Sequence, residues 1–467
     1  MTETTQASCL ADLSAGELLD GYRAKRFSPV EVLDSVLDRV RAEEPRVRAT
    51  YATDPDGARS AARESERRWQ RGEPIGPLDG VPATVKENIA TRGTPMPLGT
   101  AATVLRPAPA DAPAAARLRE AGAVIFTKTT MPDYGMLGSS QSSFHQITRN
   151  PWDPTRTPGG SSSGAAAAAA AGYGPLHLGT DIGGSVRQPA GWNGIVGLKP
   201  TFGRVPVDPP YLGRVVGPMT RTVADAALLM SVIAVPDERD HMSLPALPTG
   251  WPDRPGEVGG LRLGVLTDIG TGLPVHPETD AAVRAAVNLL DAAGASVEPV
   301  EPFLTAEMVN GMDRFWRARS WADIGALPEE RQRLVLPFIR EWAAGGKDLT
   351  GAEVFHGFSQ IDAMAVAATR ALRDLDYLLL PTAPIPPYPV ELPAPLNNPA
   401  DPFGHVVTTL PFNMSGQPGV SVNCGYTETG LPIGLQIVGH RFDDAGVLRL
   451  ALNYEQMRPA QRPWPVG

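Results

Sequence analysis

The turn Gly183-Gly184-Ser185 could carry a serine nucleophile. Two glycines in succession let the backbone turn tightly and point neighbouring N–H groups in one direction. Such donors could stabilise the oxyanion that forms when a serine beside them attacks a carbonyl. Asp181 and Arg187 flank the turn and could pair across it. Taken alone, the pattern is also that of an ordinary glycine turn, so the chemistry depends on a base elsewhere in the chain.

A serine nucleophile needs a base, and Lys86 is one candidate. It ends a short apolar run that begins at Val81, and burial there would lower its pKa toward the neutral, basic form. A solvated surface lysine is the commoner alternative. The seven histidines lie in no recognisable motif. Lys86 therefore competes with an unassigned histidine for the role of base.

A second glycine-serine segment, Pro158–Gly164, runs directly into seven alanines, which favours a loop that enters a helix over a flexible linker. Its last five residues match the G-x-S-x-G elbow of serine-histidine hydrolases, with Ser162 as nucleophile. That elbow needs a strand directly before it. Three prolines between Asn150 and Pro158 disfavour such a strand. A serine-histidine hydrolase therefore stays only as the runner-up mechanism.

Several motifs, in order along the chain, resemble those of the amidase signature enzymes. The resemblance extends from about residue 10 to residue 456 and is most specific between residues 80 and 205. So many motifs in one order exclude chance as the explanation. The motifs that carry the resemblance are Gly80-Val81-Pro82, Val85–Asn88, Asn150-Pro151-Trp152, Pro158–Ser162, Leu178–Ala190, Gly194–Thr201 and Leu431–Gly439.

The resemblance implies a Ser-cisSer-Lys triad. Lys86 matches the base, Ser161 the bridging serine and Ser185 the nucleophile, and the peptide bond between Gly160 and Ser161 would be cis. This chemistry requires neither a metal nor an organic cofactor. The oxyanion would be held by backbone N–H groups of one loop, those of Ile182, Gly183, Gly184 and Ser185. Substrate contacts are expected from one short segment, Tyr134, Gly135 and Met136.

Aromatic residues near these motifs could shape the substrate cleft. Trp192 follows the nucleophile loop and would either line the acyl pocket or belong to the core. Pro209-Pro210-Tyr211 and Phe315-Trp316 could line an apolar pocket or could be ordinary packing. An apolar cleft would favour aryl or alkyl amides over charged ones. The chain departs from the family pattern at Glu87 and Ser163, neither of which belongs to the triad.

The resemblance implies an amidohydrolase that cleaves a linear amide, either a carboxamide or an anilide, through an acyl-enzyme on Ser185. Carbamate (urethane) and ester bonds present a similar carbonyl and are further candidate substrates. The alternative is the glutaminase subunit of a tRNA-dependent amidotransferase complex, which has the same triad and works with a partner. A non-enzymatic binding protein on this fold is a third hypothesis, and the complete triad argues against it.

The amino-acid composition narrows the expected binding partners and cellular location of the protein. The 467 residues carry a net charge of −9, so the chain lacks the basic footprint of a general nucleic-acid binder. We see neither a signal peptide nor an apolar run of about 18 residues, so no membrane association is expected. Two cysteines allow no disulfide framework and no zinc knuckle. We expect a cytoplasmic monomer or homodimer that binds a small amide or carbamate.

The elements that must position these residues alternate between strand and helix. Ser14–Glu17 and Ser28–Glu31 have the pattern of capping boxes that begin helices. The resemblance implies an α/β fold, with a large central mixed twisted β-sheet covered on both faces by α-helices. We predict one amidase domain over residues 1–467, and a boundary near residue 250 is the alternative. Its predicted parts are N-terminal helices (10–70), a signature core (75–235), a variable substrate region (205–360) and a C-terminal completion of the sheet (375–456).

Overall fold

One mixed β-sheet forms the centre of the protein in a computed structural model that describes residues 9–247 and 250–466. Within these residues the sheet has eleven strands in the order β1-β3-β2-β4-β6-β5-β10-β11-β9-β7-β8. The strands are β1 (Thr50–Tyr51), β2 (Pro82–Lys86), β3 (Val124–Thr129), β4 (Leu176–Asp181), β5 (Val196–Lys199), β6 (Val215–Thr220), β7 (Arg262–Val265), β8 (Ser296–Pro299), β9 (Tyr377–Pro381), β10 (Gly419–Tyr426) and β11 (Pro432–Gly439).

Both parallel and antiparallel pairs occur, as predicted for this fold class. Strand β2 runs parallel to β3 and to β4, whereas β4 runs antiparallel to β6, and β10 and β11 form an antiparallel pair. Every residue of β4 and β11 is buried. Since successive side chains of a strand point to opposite faces, both faces of the sheet are covered at these strands.

Helices and loops cover the sheet. The helices of the described residues are α1 (Ala15–Arg23), α2 (Pro29–Val47), α3 (Pro55–Arg71), α4 (Pro113–Glu120), α5 (Ser163–Ala170), α6 (Arg187–Asn193), α7 (Val223–Ile233), α8 (Pro277–Ala292), α9 (Ala306–Gly325), α10 (Glu329–Gln332), α11 (Pro337–Ala344), α12 (Gly351–Ala371), α13 (Pro411–Met414) and α14 (Asp444–Met457). Short 3-10 helices lie at Leu10–Asp12 and Asp133–Gly135. No helix in this part of the chain combines the length and the apolarity that crossing a membrane requires.

The helix starts at the N-terminus follow their sequence signals. Ser14 and Ser28 each accept a hydrogen bond from the backbone three residues on, and Glu17 and Glu31 complete the two capping boxes. These contacts satisfy N–H groups that the first turn leaves without partners. Both predicted capping boxes are therefore confirmed.

The alanine-rich helix α5 lies in the core and begins directly after the serines of the predicted site. All eight of its residues are buried. A Cβ added to Gly164 would lie 2.4 Å from the Ala49 carbonyl oxygen and from the Thr130 nitrogen, so only glycine permits this close approach. This packing fixes the N-terminal end of α5, and with it the position of Ser161 and Ser162.

The sheet is continuous across the Pro- and Gly-rich segment 245–260. Strand β5, before this segment, pairs with β10, and β7, directly after it, pairs with β9. Strand β11 joins β9 to β10. The two parts of the chain therefore share one hydrogen-bonded sheet.

Candidate active site

Lys86, the last residue of β2, is fully buried and surrounded by hydroxyl groups. Its Nζ donates to Ser161 Oγ at 2.8 Å, to Thr180 Oγ1 at 2.9 Å and to Ser162 Oγ at 3.1 Å. Strand β2 ends beside β4, which carries Thr180, while the two serines precede α5. A neutral amine accepts a proton from a hydroxyl at such a distance, so the arrangement suits proton exchange.

The surroundings of Lys86 favour its neutral form. Burial is the largest influence and lowers its pKa from 10.5 to about 7. Asp181 and Glu87 act in the opposite direction, and Arg214 adds to the lowering. Burial prevails because a charged ammonium loses more solvation energy than these carboxylates return. Lys86 is thus poised to act as a base near neutral pH.

The segment before α5 carries Ser161 and Ser162, which differ in backbone geometry and in hydrogen bonding. The Gly160–Ser161 peptide bond is cis, as the resemblance implied. A Cβ on Gly160 would lie 2.3 Å from the Ser139 carbonyl oxygen, so this position accepts only glycine. Ser162 is buried, and its Oγ both donates to the Thr180 carbonyl and accepts from the Thr180 N–H at 3.2 Å. The Ser162 hydroxyl is therefore already occupied by hydrogen bonds within the protein.

No histidine of the described residues hydrogen-bonds to Ser161, Ser162 or Ser185. The buried His177 instead bonds to Thr84 Oγ1 and to the Gly174 carbonyl. The geometry therefore offers no base for the serine-histidine alternative.

Ser185 follows the two-glycine turn between β4 and α6 and is half-buried. Its backbone carbonyl accepts a hydrogen bond from the Ser162 N–H at 3.2 Å, which joins the two glycine-serine segments. Within residues 9–247 and 250–466, its Oγ has no hydrogen-bond partner. Ser185 lines a cleft together with Gly160. Its hydroxyl is therefore free to meet a substrate.

The loop that carries Ser185 is held by a buried ion pair. Asp181 and Arg187 are both inaccessible to solvent and lie 3.0 Å apart. Burial alone would raise the pKa of Asp181, but Arg187 outweighs it and holds that pKa well below its usual range. Arg187 also donates to the Thr409 carbonyl at 2.9 Å and to Gln436 Oε1 at 2.7 Å. The predicted pairing across the turn is therefore present.

Asp181 also decides which N–H groups remain for an oxyanion. Its Oδ1 accepts the Gly184 N–H at 2.8 Å. The prediction that Gly184 offers a free donor to the oxyanion hole is therefore wrong, because that donor is already bound. In the part of the chain that the structure describes, the N–H groups of Ile182, Gly183 and Ser185 have no acceptor. They remain the candidate donors.

The cleft beside Ser185 is narrow, and its wall is mostly apolar and carries no charged side chain. Gly135 and Met136 line it as predicted, whereas Tyr134 lies outside the lining. Tyr134 adopts left-handed backbone angles (φ 51°), and burial raises the pKa of its hydroxyl to about 12. The remaining lining residues are Leu137, Gly138, Gly160, Ile182, Gly183, Gly184, Ser185, Gln188, Trp316, Phe403 and Val406.

The sequence identified only part of this wall. Trp316 lines the cleft, which agrees with the first of the two roles considered for it, a pocket residue or ordinary packing. Trp192 belongs to the core instead, since its ring packs edge-on against Tyr388 and its Nε1 donates to the Ile385 carbonyl at 2.9 Å. Phe403 and Val406 lie in no motif, so no local signal marked them.

No candidate metal centre accompanies this site. The described residues contain no cluster of three or more His, Cys, Asp or Glu side chains suited to hold an ion.

The fold and the site define an enzyme of the amidase class, and the chain belongs to the amidase signature family. The family model described as Amidase matches residues 31–448. The chain is 37% identical to a glutamyl-tRNA(Gln) amidotransferase subunit of Myxococcus xanthus, over 96% of this chain and 97% of that one.

Comparison with solved structures leads to the same family. A bacterial aryl acylamidase of the amidase signature family superposes with a TM-score of 0.87 at 28% identity, covering 96% of each chain. A 6-aminohexanoate cyclic dimer hydrolase also reaches 0.87, at 27% identity, over 98% of this chain and 99% of that one. The predictions of family and fold class are therefore confirmed, and the chain is an amidase-family hydrolase acting on C–N bonds.

Proposed function

We propose that this protein hydrolyses an amide bond through an acyl-enzyme on Ser185, with Lys86 as base and Ser161 as relay. The observation that carries the proposal is the 2.8 Å hydrogen bond between Lys86 Nζ and Ser161 Oγ in a buried setting. Because burial brings the pKa of Lys86 to about 7, a large fraction is neutral at physiological pH.

The proton would move through Ser161 in both directions. Neutral Lys86 takes the proton of Ser161, and Ser161 takes the proton of Ser185, whose Oγ attacks the carbonyl carbon. The oxyanion is stabilised by the N–H groups of Ile182 and Gly183, and removing one such donor typically costs about 3–4 kcal/mol. The proton then returns through Ser161 to the leaving amine as the C–N bond breaks. A water molecule then gives its proton to the same relay and attacks the acyl-enzyme carbonyl. This breaks the bond to Ser185, whose Oγ takes the proton back, and releases the acid.

The cleft supports a stand-alone amidase for carboxamides or anilides. Its wall has no charged side chain, and Met136, Trp316, Phe403 and Val406 present apolar surface next to Ser185. An aryl or alkyl group is therefore favoured beside the reacting carbonyl. Carbamates and esters place the same carbonyl there, so urethane hydrolysis belongs to the same candidate range.

The second candidate is the glutaminase subunit of a tRNA-dependent amidotransferase. The curated relatives favour it over the stand-alone amidase, since the M. xanthus amidotransferase subunit is 37% identical across nearly the whole length of both chains. In that role the chain would bind partner subunits and would release ammonia from glutamine. The monomer or homodimer and the cytoplasmic location remain predictions.

A fluorophosphonate probe tests the mechanism shared by both candidates. We expect the label on Ser185, located by peptide mass spectrometry, and a loss of labelling in Ser185→Ala. Labelling of Lys86→Ala should fall by about 10²–10⁴-fold, the usual contribution of a positioned base. Ser162→Ala is the matched control and should retain labelling at Ser185. A label on Ser162, or labelling indifferent to Lys86, contradicts the mechanism.

Substrate assays then separate the two candidates. Rapid hydrolysis of anilides or carbamates by the isolated chain, without glutamine hydrolysis, supports the stand-alone amidase. Ammonia release from glutamine, together with a second subunit that co-purifies stoichiometrically, supports the amidotransferase role.

A further inference from the structure

An arginine without an anionic partner lies beside the proposed site. Arg214 directly precedes β6 and is partly buried. Among residues 9–247 and 250–466, no carboxylate forms an ion pair with it and its guanidinium makes no hydrogen bond. Its contact is with the ring of Tyr211, whose centroid is 5.0 Å from the guanidinium carbon. A partly buried guanidinium without a counterion loses part of its hydration and gains no ion pair in return.

A second arginine lies against the same ring. The guanidinium carbon of Arg319, on α9, is 4.4 Å from the Tyr211 centroid. Burial lowers the pKa of Arg214, and the nearby charge of Arg319 lowers it further. Asp323 lies 3.8 Å from Arg319 but is 63% exposed, so it offsets little of this charge. The Tyr211 hydroxyl is buried and has no partner.

Arg214 sits on a segment that packs against the cleft wall, and Arg319 sits on a helix that forms part of that wall. Gly213, next to Arg214, lies against Ile182, whose Cγ1 would be 3.8 Å from a Cβ on that glycine. Val215 pairs with Asp181 at the end of β4, where the Ser185 loop begins. On α9, Trp316 lines the cleft one turn before Arg319. Neither guanidinium lines the cleft itself, but both lie next to segments of its wall, and Arg214 is near enough to Lys86 for its charge to lower the pKa of that amine.

We propose that Arg214 and Arg319 form a subsite for a carboxylate carried by the amide substrate. This inference rests on the proposed function. A carboxylate is planar and accepts paired hydrogen bonds from a guanidinium, and it would offset two like charges at once. The Tyr211 hydroxyl can donate a further hydrogen bond. The substrate would thus combine an apolar group in the cleft with a carboxylate at its border.

Matched pairs of anilides test this subsite. Glutaryl-4-nitroanilide and pentanoyl-4-nitroanilide differ by a carboxylate on the acyl half, and N-butanoyl-4-aminobenzoate and butyranilide differ by one on the leaving half. We expect kcat/KM to favour the carboxylate member of at least one pair by about tenfold or more, as for a hydrogen bond to a charged group. The ratio within a pair does not depend on the folded fraction of a variant.

Arginine variants test whether the preference for the carboxylate substrate depends on Arg214 and Arg319. Arg214→Met should abolish it, Arg319→Met should reduce it and Arg214→Lys should retain part of it. Arg254→Met is the control, because this side chain is 88% exposed, and it should change nothing. The absence of a preference in both pairs, or a preference that survives Arg214→Met, overturns the inference.

A binding measurement separates this inference from the proposed function. Hydrolysis of the neutral anilides that depends on Ser185, without a carboxylate preference, leaves the function intact and overturns the subsite. If no anilide is hydrolysed, calorimetry of Ser185→Ala with glutaryl-4-nitroanilide decides. A Kd weakened about tenfold by adding Arg214→Met supports the subsite, whereas an unchanged Kd or no binding overturns it.

Discussion

Lys86 has three hydroxyl neighbours within hydrogen-bond distance, and no carboxylate of residues 9–247 and 250–466 forms an ion pair with it. Its charge is therefore decided by burial, which works against protonation. A lysine with an exposed ammonium would stay charged up to about pH 10 and could not accept a proton from Ser161 at neutral pH. The chemistry of the site thus depends on how completely one amine is removed from water.

The titration of Lys86 gives a pH dependence with a defined direction. We expect the rate constant for fluorophosphonate labelling of Ser185 to rise with pH and to level off above about 7. Below that pH the amine is protonated and cannot act as base, so the rate should fall about tenfold for each unit. Labelling is measured in place of turnover because it reports the attack of Ser185 alone.

A second buried lysine provides the control for this titration. Burial also lowers the pKa of Lys199 to about 7, but its Nζ donates to the Pro200 carbonyl at 2.8 Å and to none of the site hydroxyls. Lys199→Met should therefore keep the inflection near neutral pH. A rate that stays flat across this range in the unmodified protein, or an inflection lost in Lys199→Met, would show that Lys86 is not the titrating base.

At the scale of elements, the turn between β4 and α6 is shaped by its ion pair. Asp181 binds the N–H groups of Gly184 and Val186 as well as the guanidinium of Arg187. Arg187 in turn reaches Asn413 and Gln436, so α13 and β11 are connected to the same turn. Residues distant in sequence therefore determine the shape of the loop that presents Ser185.

Removing one member of this pair should destabilise the protein strongly. Arg187→Met leaves Asp181 charged and uncompensated, and such a loss typically costs about 3–5 kcal/mol. Arg23→Met is the matched control, since the Arg23–Asp20 pair is 67% and 68% exposed and should contribute less than about 1 kcal/mol. Urea denaturation of both variants gives the comparison. Similar midpoints for the two variants would refute a structural role for the buried pair.

The elements that carry the proposed reacting groups were predictable because their residues carry local signals. The apolar run before Lys86 forms β2, and the serines before the alanine run lie at the start of α5. Gly184 misled the prediction because the side chain of Asp181 competes for its N–H, which spacing alone does not reveal. Phe403 reaches the cleft through packing between distant segments, so nothing in its local sequence could mark it.

At the scale of the whole molecule, the sheet order argues against a division near residue 250. Strand β5 lies between β6 and β10, so its hydrogen bonds join residues on both sides of the segment 245–260. Neither part of the chain could complete this sheet alone. We therefore keep the proposal of one domain.

One domain predicts one cooperative unfolding event. Hydrogen exchange followed by mass spectrometry at rising urea should show peptides from β5 and β9 opening together, because both belong to the same sheet. Peptides from α10, whose residues are not buried, should exchange at much lower urea and serve as the reference for local opening. Opening of β9 well before β5 would instead indicate two units divided near residue 250.

The cleft is assembled from two sources with different positions in the chain. The proposed reacting groups all lie between Lys86 and Ser185, whereas Trp316, Phe403 and Val406 come from later segments. Substitutions at these three wall residues would change what the cleft admits, whereas substitutions at Asn413 or Gln436 would also reach the loop that presents Ser185. Such a chain can acquire new substrates through drift at a few positions of its gene, and a protein engineer can randomise those codons without rebuilding the catalyst.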